Sequence, residues 1–419
     1  MTLWIILMAS LFVCTALGTI YLIRRFSRFS FVSKPSGNKK SISYLISAAM
    51  LAVAFAVIFA FMGAMNTIIC LLHLALVWLL CDLAAFLLRK LRKKDFRRYY
   101  AGAIAMVFTV LWLSAGWYTA HNVVETDYTI NTDKSVGVLR VVMLADSHLG
   151  ATFDGDGFAR HMERIQAAEP DIVLVVGDFV DENSYKADMQ TACEALGKLK
   201  TKYGVYYVFG NHDKGRYGSS RDFSTDDLKA ALTANNVTIL EDDVLLIDNR
   251  FYLIGRQDAS EQSDFGGTRA SMSELTKDLD DNVFSIVMDH QPRDYAAQAK
   301  SGVDLVVSGH THGGQLIPLT TLMKLTGIGG NDRVYGAETR ENTDFIVTSG
   351  IADWEIFFKT GCVSEFTVIA TLSASSRLTP KNCVRVIFPP TVSGFSEFSA
   401  NAVIVHNIKH KNTDIIFFI

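Results

Sequence analysis

The first 120 residues of the 419-residue chain consist mainly of long apolar runs, whereas the remainder alternates short apolar runs with amphipathic segments. A helix needs about 20 apolar residues to cross a bilayer. Four of the long runs meet this requirement and predict transmembrane helices at 2–23, 43–62, 66–88 and 101–120. The first run lacks a basic start and further apolar runs follow it, which favours a membrane anchor over a cleaved signal peptide.

The charges of this apolar region are almost all basic. Residues 1–120 hold 13 Lys and Arg against two acidic residues, while the rest of the chain holds 27 against 41. The basic residues lie in the connections 24–40 and 89–98, and the connection at 63–66 is uncharged. Short basic loops stay in the cytoplasm. The pattern predicts that both ends of the four-helix region, and therefore the domain that follows, lie outside the cytoplasm; a miscounted span would reverse this orientation.

Two ionisable residues, His73 and Asp82, fall inside the third apolar run. Such groups are functional candidates, but Asp82 lies close to the basic end of the run, where pairing with a cation is the simpler interpretation. Trp112 and Trp117 in the fourth run, together with Tyr118, resemble interfacial anchors. The six cysteines are scattered without a CxxC pair, which favours free structural thiols.

From residue 138 onward the pattern predicts an α/β domain, because strand-like runs alternate with amphipathic helical segments. The predicted strands are 139–145, 172–176, 205–209, 251–254, 284–288, 305–307 and 345–348. The predicted helices lie near 157–168, 186–200, 225–235, 271–279 and 293–300. Residues 121–137 are interpreted as a polar linker, 138–372 as the domain, and 373–419 as a peripheral or poorly ordered tail.

Metal-type side chains directly follow five of the predicted strands. They are Asp146 with His148, Asp178, Asn211, His290, and His310 with His312. In α/β sheets, ligands gather outside the carboxyl ends of the strands, so these side chains are expected to converge. Imidazole suits Zn, Fe and Mn-type ions. The set is large enough for two ions that share Asp178, whose two carboxylate oxygens can bridge them.

Each motif is weak alone, but together they appear in the order seen in calcineurin-like metallophosphoesterases. The resemblance rests on Asp146-x-His148, Gly177-Asp178, Gly210-Asn211-His212-Asp213, His290 and Gly309-His310-x-His312. It covers about 138–372 and most resembles the bacterial, membrane-anchored branch, where Gly-His-Thr-His-Gly-Gly-Gln is typical. It implies a four-layer αββα sandwich. It also implies one metal held by Asp146, His148, Asp178 and His312, and another by Asp178, Asn211, His290 and His310.

The resemblance further implies that His212 is the catalytic histidine, supported by Asp213, and that the cofactors are two divalent ions such as Mn, Fe or Zn. Adjacent cations lower the pKa of a shared water, so that hydroxide is available near neutral pH. We expect hydrolysis of a phosphodiester or pyrophosphate in lipid, envelope or nucleotide material. A phosphomonoesterase is the alternative within enzymes.

Two other classes of function have less support. A non-catalytic membrane scaffold would be expected to lack a ligand or the catalytic histidine, and neither is missing. A transporter or sensor operated by 1–120 would need more polar residues within its spans. No specific nucleic-acid binding is expected, because the region after residue 120 has no basic stripe.

Several further residues have two interpretations. Asp181 either orients a ligand histidine or lies in a surface turn. The loop 316–336 carries apolar residues that suit a lid or a lipid contact, although a packed loop is favoured. Four arginines are candidates for binding a substrate anion, with solvated surface as the favoured interpretation: Arg160, Arg164, Arg216 and Arg256.

Overall fold

The computed structural model describes residues 2–93, 99–215 and 221–373. The first helices are α1 (Thr2–Phe26), α2 (Ser30–Ser33), α3 (Lys40–Arg92) and α4 (Tyr100–His121). Of these, α1, α3 and α4 are long and apolar enough to cross a membrane. The tail predicted at 373–419 lies outside the described residues after Ser373.

Helix α3 is broken at Gly63, whose backbone has φ 74° and ψ −179°. Its 53 residues would form a rod of about 80 Å, far longer than the roughly 30 Å of a bilayer's hydrocarbon core. Met50 and Leu74 line one apolar cavity, although a straight helix would hold them about 36 Å apart. The two arms of α3 therefore fold back on one another and contain the predicted runs 43–62 and 66–88. The number of membrane crossings stays a prediction.

Asp82 is paired at one end of this helical region. Its carboxylate lies 2.8 Å from Arg25 Nε and accepts a hydrogen bond of 2.8 Å from the Tyr21 hydroxyl. His73 is buried, with Nδ1 2.9 Å from the Ile69 carbonyl. Both contacts agree with the structural interpretation of these two ionisable residues.

After α4, the described chain is built around two six-stranded sheets. The strands are β1 (Val124–Thr132), β2 (Leu139–Leu144), β3 (Ile172–Val176), β4 (Val205–Val208), β5 (Val237–Ile239), β6 (Asp243–Ile247), β7 (Phe251–Gly255), β8 (Phe284–Met288), β9 (Leu305–Ser308), β10 (Gly336–Arg340), β11 (Thr343–Val347) and β12 (Glu365–Ser373). The first sheet has the order β1-β12-β2-β3-β4-β5, and the second has the order β10-β11-β9-β8-β7-β6. Strands β2 to β5 are parallel, as are β7, β8, β9 and β11.

Seven α-helices accompany these strands in the described part of the domain. They are α5 (Gly155–Ala167), α6 (Lys186–Gly197), α7 (Thr225–Ala234), α8 (Ala259–Asp264), α9 (Met272–Thr276), α10 (Tyr295–Lys300) and α11 (Leu319–Thr326), and a 3₁₀ turn covers His312–Gly314. The helices that were predicted correspond to α5, α6, α7, α9 and α10.

The sheets pack face to face, with helices on their outer faces. Along β2, Val141 and Met143 join the apolar cluster between the two sheets, while Val142 and Leu144 join the cluster under α5, α6 and α7. This alternation follows from the two-residue period of a strand. A third cluster places α9 and α10 on the second sheet. The chain therefore has a mixed α/β fold with two sheets: the residue pattern predicted the α/β class, and the family resemblance implied the two sheets.

The predicted linker 121–137 is wrong over most of its length. Residues Val124–Thr132 form β1, which pairs in parallel with β12 at the edge of the first sheet. Its polar residues resemble a linker because only three of its nine residues are buried. Strands β5, β6 and β10 were also not predicted, because they are short or half-exposed.

The domain contacts the candidate membrane helices α3 and α4 through the loop between β11 and β12. The Asn66 side chain donates to the Glu355 carbonyl at 2.8 Å and accepts from the Phe357 amide at 2.8 Å. The Lys359 amide donates to the carbonyl of Gly116 in α4 at 2.9 Å. These bonds bring the loop against both α3 and α4.

Candidate metal centre

The predicted ligands gather where the strands of the two sheets end. The Asp146 amide donates to the Gly177 carbonyl at 3.0 Å, and the His148 amide donates to the Asp178 carbonyl at 3.1 Å, which joins the loops after β2 and β3. The His310 amide donates to the Asp146 carboxylate at 2.9 Å. This last bond brings the end of β9, in the second sheet, onto the ligands of the first.

Asp146, His148 and His312 form the first ligand group, in which one ligand atom from each lies within 4.8 Å of the others. All three side chains are buried. The Nε2 atoms of His148 and His312 are 3.2 Å apart, and His312 Nε2 lies 3.8 Å from Asp146 Oδ1. Two imidazole nitrogens and a carboxylate that face one small volume are the donor set of a transition-metal site.

Asp178, His290 and His310 form the second ligand group under the same 4.8 Å limit. His290 Nε2 lies 3.0 Å from Asp178 Oδ2, and its Nδ1 lies 2.8 Å from the Val176 carbonyl. The carbonyl fixes the ring so that Nε2 faces the carboxylate. Such a contact on the far nitrogen is usual for metal-binding histidines.

Asp178 lies between the two groups. Its Oδ2 is 3.0 Å from His290 Nε2 and 3.7 Å from His148 Nε2, so the same oxygen faces one imidazole of each group. Its Oδ1 accepts a hydrogen bond of 2.9 Å from the His212 amide. One oxygen, and not both as predicted, therefore faces the two groups, because Oδ1 is engaged by the backbone; this position suits a carboxylate shared by two cations.

The backbone turns sharply at these ligands. Five of them have positive φ angles, between 35° and 71°: Asp146, His148, Asp178, His310 and His312. Such conformations cost about 1–3 kcal/mol each in non-glycine residues and cluster at functional sites. Gly177 has φ 78°, and a Cβ there would lie 2.5 Å from His290 Nδ1, so only glycine fits between the two ligand loops.

Asn211 and His212 follow the end of β4 and lie at the same site. Both side chains are buried, and Asn211 Oδ1 is 3.5 Å from Gln291 Nε2. The ring of His212 is 5.0 Å from that of His148 and 5.3 Å from the Trp354 indole. His212 Nδ1 lies 3.1 Å from both carboxylate oxygens of Glu182. The other ring nitrogen that can carry a proton is Nε2.

Asp213 has different contacts from the predicted ones. Its carboxylate accepts backbone hydrogen bonds from four amides at 2.7–3.0 Å: Asp178, Phe179, Val180 and Gly210. The carboxylate close to the His212 ring is instead that of Glu182. The prediction that Asp213 orients His212 is therefore corrected, because Asp213 fixes the Asp178 loop and Glu182 contacts the imidazole.

The electrostatics of the site follow from its buried carboxylates. Burial raises the pKa of Asp146 to about 6. Burial also acts to raise the pKa of Asp178, but the neighbouring His290 and His212 hold it well below its usual range. Burial acts to lower the pKa of His212, yet Asp178 and Glu182 raise it to about 9. Asp178 is therefore ionised at neutral pH, as a metal-binding carboxylate has to be.

The donor set fits divalent metal ions. Among the described residues, no hydrogen-bond partner reaches the buried Nδ1 of His310, and the imidazole atoms His290 Nε2 and His148 Nε2 face the Asp178 carboxylate. Buried polar atoms normally have a partner, and a cation would satisfy imidazole nitrogens that face carboxylates. The chemistry of the donors allows Zn, Fe or Mn and does not select among them.

Asp181 is buried, and its Oδ2 lies 3.5 Å from His148 Nδ1, which favours the orienting role over a surface turn.

Arg256 is also buried and pairs with Asp289 at 3.0 Å, so it is not a solvated surface residue. Arg160 is exposed, and Arg164 donates to the Val123 carbonyl at 2.7 Å. Arg216 lies outside the described residues.

Sequence reasoning missed Glu182, Trp354 and Lys359. Lys359 is buried, and its Nζ donates to the carbonyls of Ser349 and Ala352 at 2.8 and 3.1 Å. Since the Ala352 carbonyl also lies 3.3 Å from His312 Nδ1, Lys359 holds the loop that supports this ligand. The aromatic residues between Trp354 and Phe358 are the feature of the sequence that could have indicated this loop.

Comparison with known proteins places this site in a family. Residues 139–314 match the model of calcineurin-like phosphoesterases. The chain is 27% identical over 309 residues to an uncharacterised metallophosphoesterase of Campylobacter jejuni, covering 72% of this chain and 78% of that one. It is 30% identical over 257 residues to an uncharacterised metallophosphoesterase of Helicobacter pylori strain J99, covering 60% of this chain and 63% of that one. The chain therefore contains a calcineurin-like metallophosphoesterase domain, as the motifs predicted.

A bovine transmembrane protein with a metallophosphoesterase domain is 28% identical over 301 residues, covering 68% of this chain and 65% of that protein. The chain thus spans slightly less than two thirds of the Helicobacter and bovine proteins. The Campylobacter and Helicobacter matches are consistent with the bacterial branch of the family.

Proposed function

We propose that the protein is a membrane-anchored phosphoesterase with two divalent metal ions, which hydrolyses a phosphodiester or pyrophosphate bond outside the cytoplasm. The observation that carries this proposal is the position of Asp178 between two groups of metal-type ligands. The family supports the reaction class, a metal-dependent hydrolysis of a phosphoric ester.

The two ligand groups define the metal sites of this proposal. Asp146, His148 and His312 would hold one ion, His290 and His310 with Asn211 the other, and Asp178 both. Two ions held there would supply hydroxide at neutral pH and offset negative charge on the phosphate oxygens. The buried carboxylates and the positive-φ backbone keep the ligands in place before substrate binds.

His212 is proposed as the acid or charge-stabilising residue of the reaction. Its ring lies beside His148, and Glu182 contacts its Nδ1; in this proposal Nε2 acts on a leaving-group oxygen or a non-bridging phosphate oxygen. A positioned histidine contributes typically 10²–10⁴-fold to a rate. The Trp354 ring lies 5.3 Å from the same imidazole, at an interplanar angle of 50°.

The extracytoplasmic location is supported by the basic connections between the apolar helices. The uncharged break at Gly63 and the end of α4 both contact the catalytic domain, through Asn66 and Gly116. They therefore lie on the same side as the domain, opposite the basic connections. A reporter fused after residue 372 should be active only outside the cytoplasm; activity only in the cytoplasm would reverse the topology.

A substrate panel with the purified full-length protein tests the reaction. Bis-p-nitrophenyl phosphate and p-nitrophenyl phosphate are compared after loading with Mn, Fe or Zn. The proposal expects a higher kcat/KM for the diester. A preference for the monoester would overturn the diesterase assignment, and the absence of turnover with every metal would favour a non-catalytic scaffold.

A further inference from the structure

Helix α11 carries an exposed apolar face. Leu319, Leu322 and Leu325 are 42%, 47% and 79% exposed, and their spacing of three residues places them on one side of the helix. Its single charged residue is Lys324. A patch of this kind on a soluble surface marks an interaction with another protein or with a membrane.

The chain that enters α11 is already in contact with the membrane helices. Leu316 belongs to a buried apolar cluster with Ile69 of α3 and Leu113 of α4. Leu113 lies one turn before Trp117, and Trp117 and Tyr118 are exposed on α4. Exposed aromatic residues near the end of a membrane helix mark the level of the lipid–water interface. Leu316 therefore lies at or below this level, and α11 begins there.

The catalytic site adjoins the same surface. The Trp354 ring is 5.3 Å from that of His212, and Phe358 belongs to the cluster with Leu316. Consecutive residues of a chain span at most about 3.6 Å each, so the Cα atoms of Trp354 and Phe358 are within about 15 Å. A segment of five residues, Trp354–Phe358, thus connects the neighbour of His212 to the cluster at the level where the helices leave the bilayer.

We propose that α11 lies in the outer lipid–water interface, and that the site takes the phosphoester head group of a lipid in that leaflet. This inference rests on the proposed function, and it selects lipid among the possible substrates. The occupant of the leucine face is the bilayer, because Leu316, three residues before the helix, packs against α3 and α4. Lys324 suits this position, since lysines at the interface attract anionic head groups.

Photo-crosslinking tests the position of the helix without reference to activity. The full-length protein, with p-benzoylphenylalanine in place of Leu325, is irradiated in phosphatidylcholine–phosphatidylglycerol nanodiscs, and adducts are identified by mass spectrometry. Leu246 is the matched control, because it is 46% exposed on the edge strand β6. We expect lipid adducts at 325 and none at 246. Equal yields at both positions, or adducts only with a second protein chain, would overturn the proposal.

Substrate presentation tests the lipid assignment. The Leu322→Ser/Leu325→Ser variant and the wild type are compared on p-nitrophenyl hexadecyl phosphate in nanodiscs and on soluble bis-p-nitrophenyl phosphate. We expect kcat/KM for the lipid ester to fall roughly tenfold, and that for the soluble ester to stay unchanged. If the ratio of kcat/KM for the lipid ester to kcat/KM for the soluble ester is the same in the variant and the wild type, the lipid assignment is overturned. If the wild type hydrolyses neither ester, the proposed function fails, while the crosslinking result still reports the position of α11.

Discussion

The two ligand groups of the candidate metal centre have similar donors but different surroundings. In the group of Asp146, His148 and His312, every side chain is buried, and the loop fixed by Lys359 supports His312. In the group of Asp178, His290 and His310, a strand carbonyl orients His290, and His310 is partly exposed.

The two ligand groups are linked through one residue, Asp178. Asp178 faces an imidazole of each group, whereas His310 and His312 are assigned to one group each. Substitution of Asp178 should therefore affect both metals, and substitution of either histidine mainly one.

Asp178→Asn should have the largest effect, because the amide removes the negative charge that both cations share. We expect loss of both metals and a fall in kcat/KM of more than about 10³-fold. Metal content and hydrolysis of bis-p-nitrophenyl phosphate are measured on the same sample. Glu163→Gln, at an exposed position of α5, is the control and should change neither. Retained activity in Asp178→Asn would refute the bridge.

His212→Gln should retain both metals, because the ring contacts Glu182 and Trp354 and is not assigned to either ligand group. We expect kcat to fall by about 10³-fold, within the range of acid–base contributions. Glu182→Gln should give a smaller fall, since the ring stays in place but loses its charged partner. Loss of metal in His212→Gln would show that this histidine is a ligand.

His312→Gln and His310→Gln should separate the two groups. Each variant is expected to lose one metal ion per chain. Its activity at limiting metal concentration is expected to fall about 10²-fold. Excess metal should recover part of that activity, because weaker binding is compensated by concentration. Metal titrations of the two variants are compared. Loss of both ions in either variant would mean that the groups do not bind independently.

Asp181→Asn should have the smallest effect of the series. Its carboxylate is 3.5 Å from His148 Nδ1 and orients the ring without belonging to a ligand group. Residues in such positions typically change metal affinity by 10–100-fold, and we expect about tenfold, confined to the first group. Equal weakening of both metals in a competition assay with a chelator would contradict this assignment.

The ligand positions were predictable because they follow apolar strands directly. Asp146, Asp178 and His290 each terminate a buried run, and parallel strand ends meet at one edge. The contact of Glu182 with His212 was not predictable, because it depends on how two loops 30 residues apart fold together. The assignment of Asp213 failed because adjacency in sequence does not make two side chains face each other. Strand β1 escaped detection because its partner, β12, lies about 240 residues away.

The most direct test of the dinuclear centre is the metal content of the full-length wild type, measured by inductively coupled plasma mass spectrometry while metal is added back to a chelated sample. The account predicts two ions per chain at saturation, with hydrolysis of bis-p-nitrophenyl phosphate rising as the second ion binds. Full activity with one ion per chain, or with none, would contradict it.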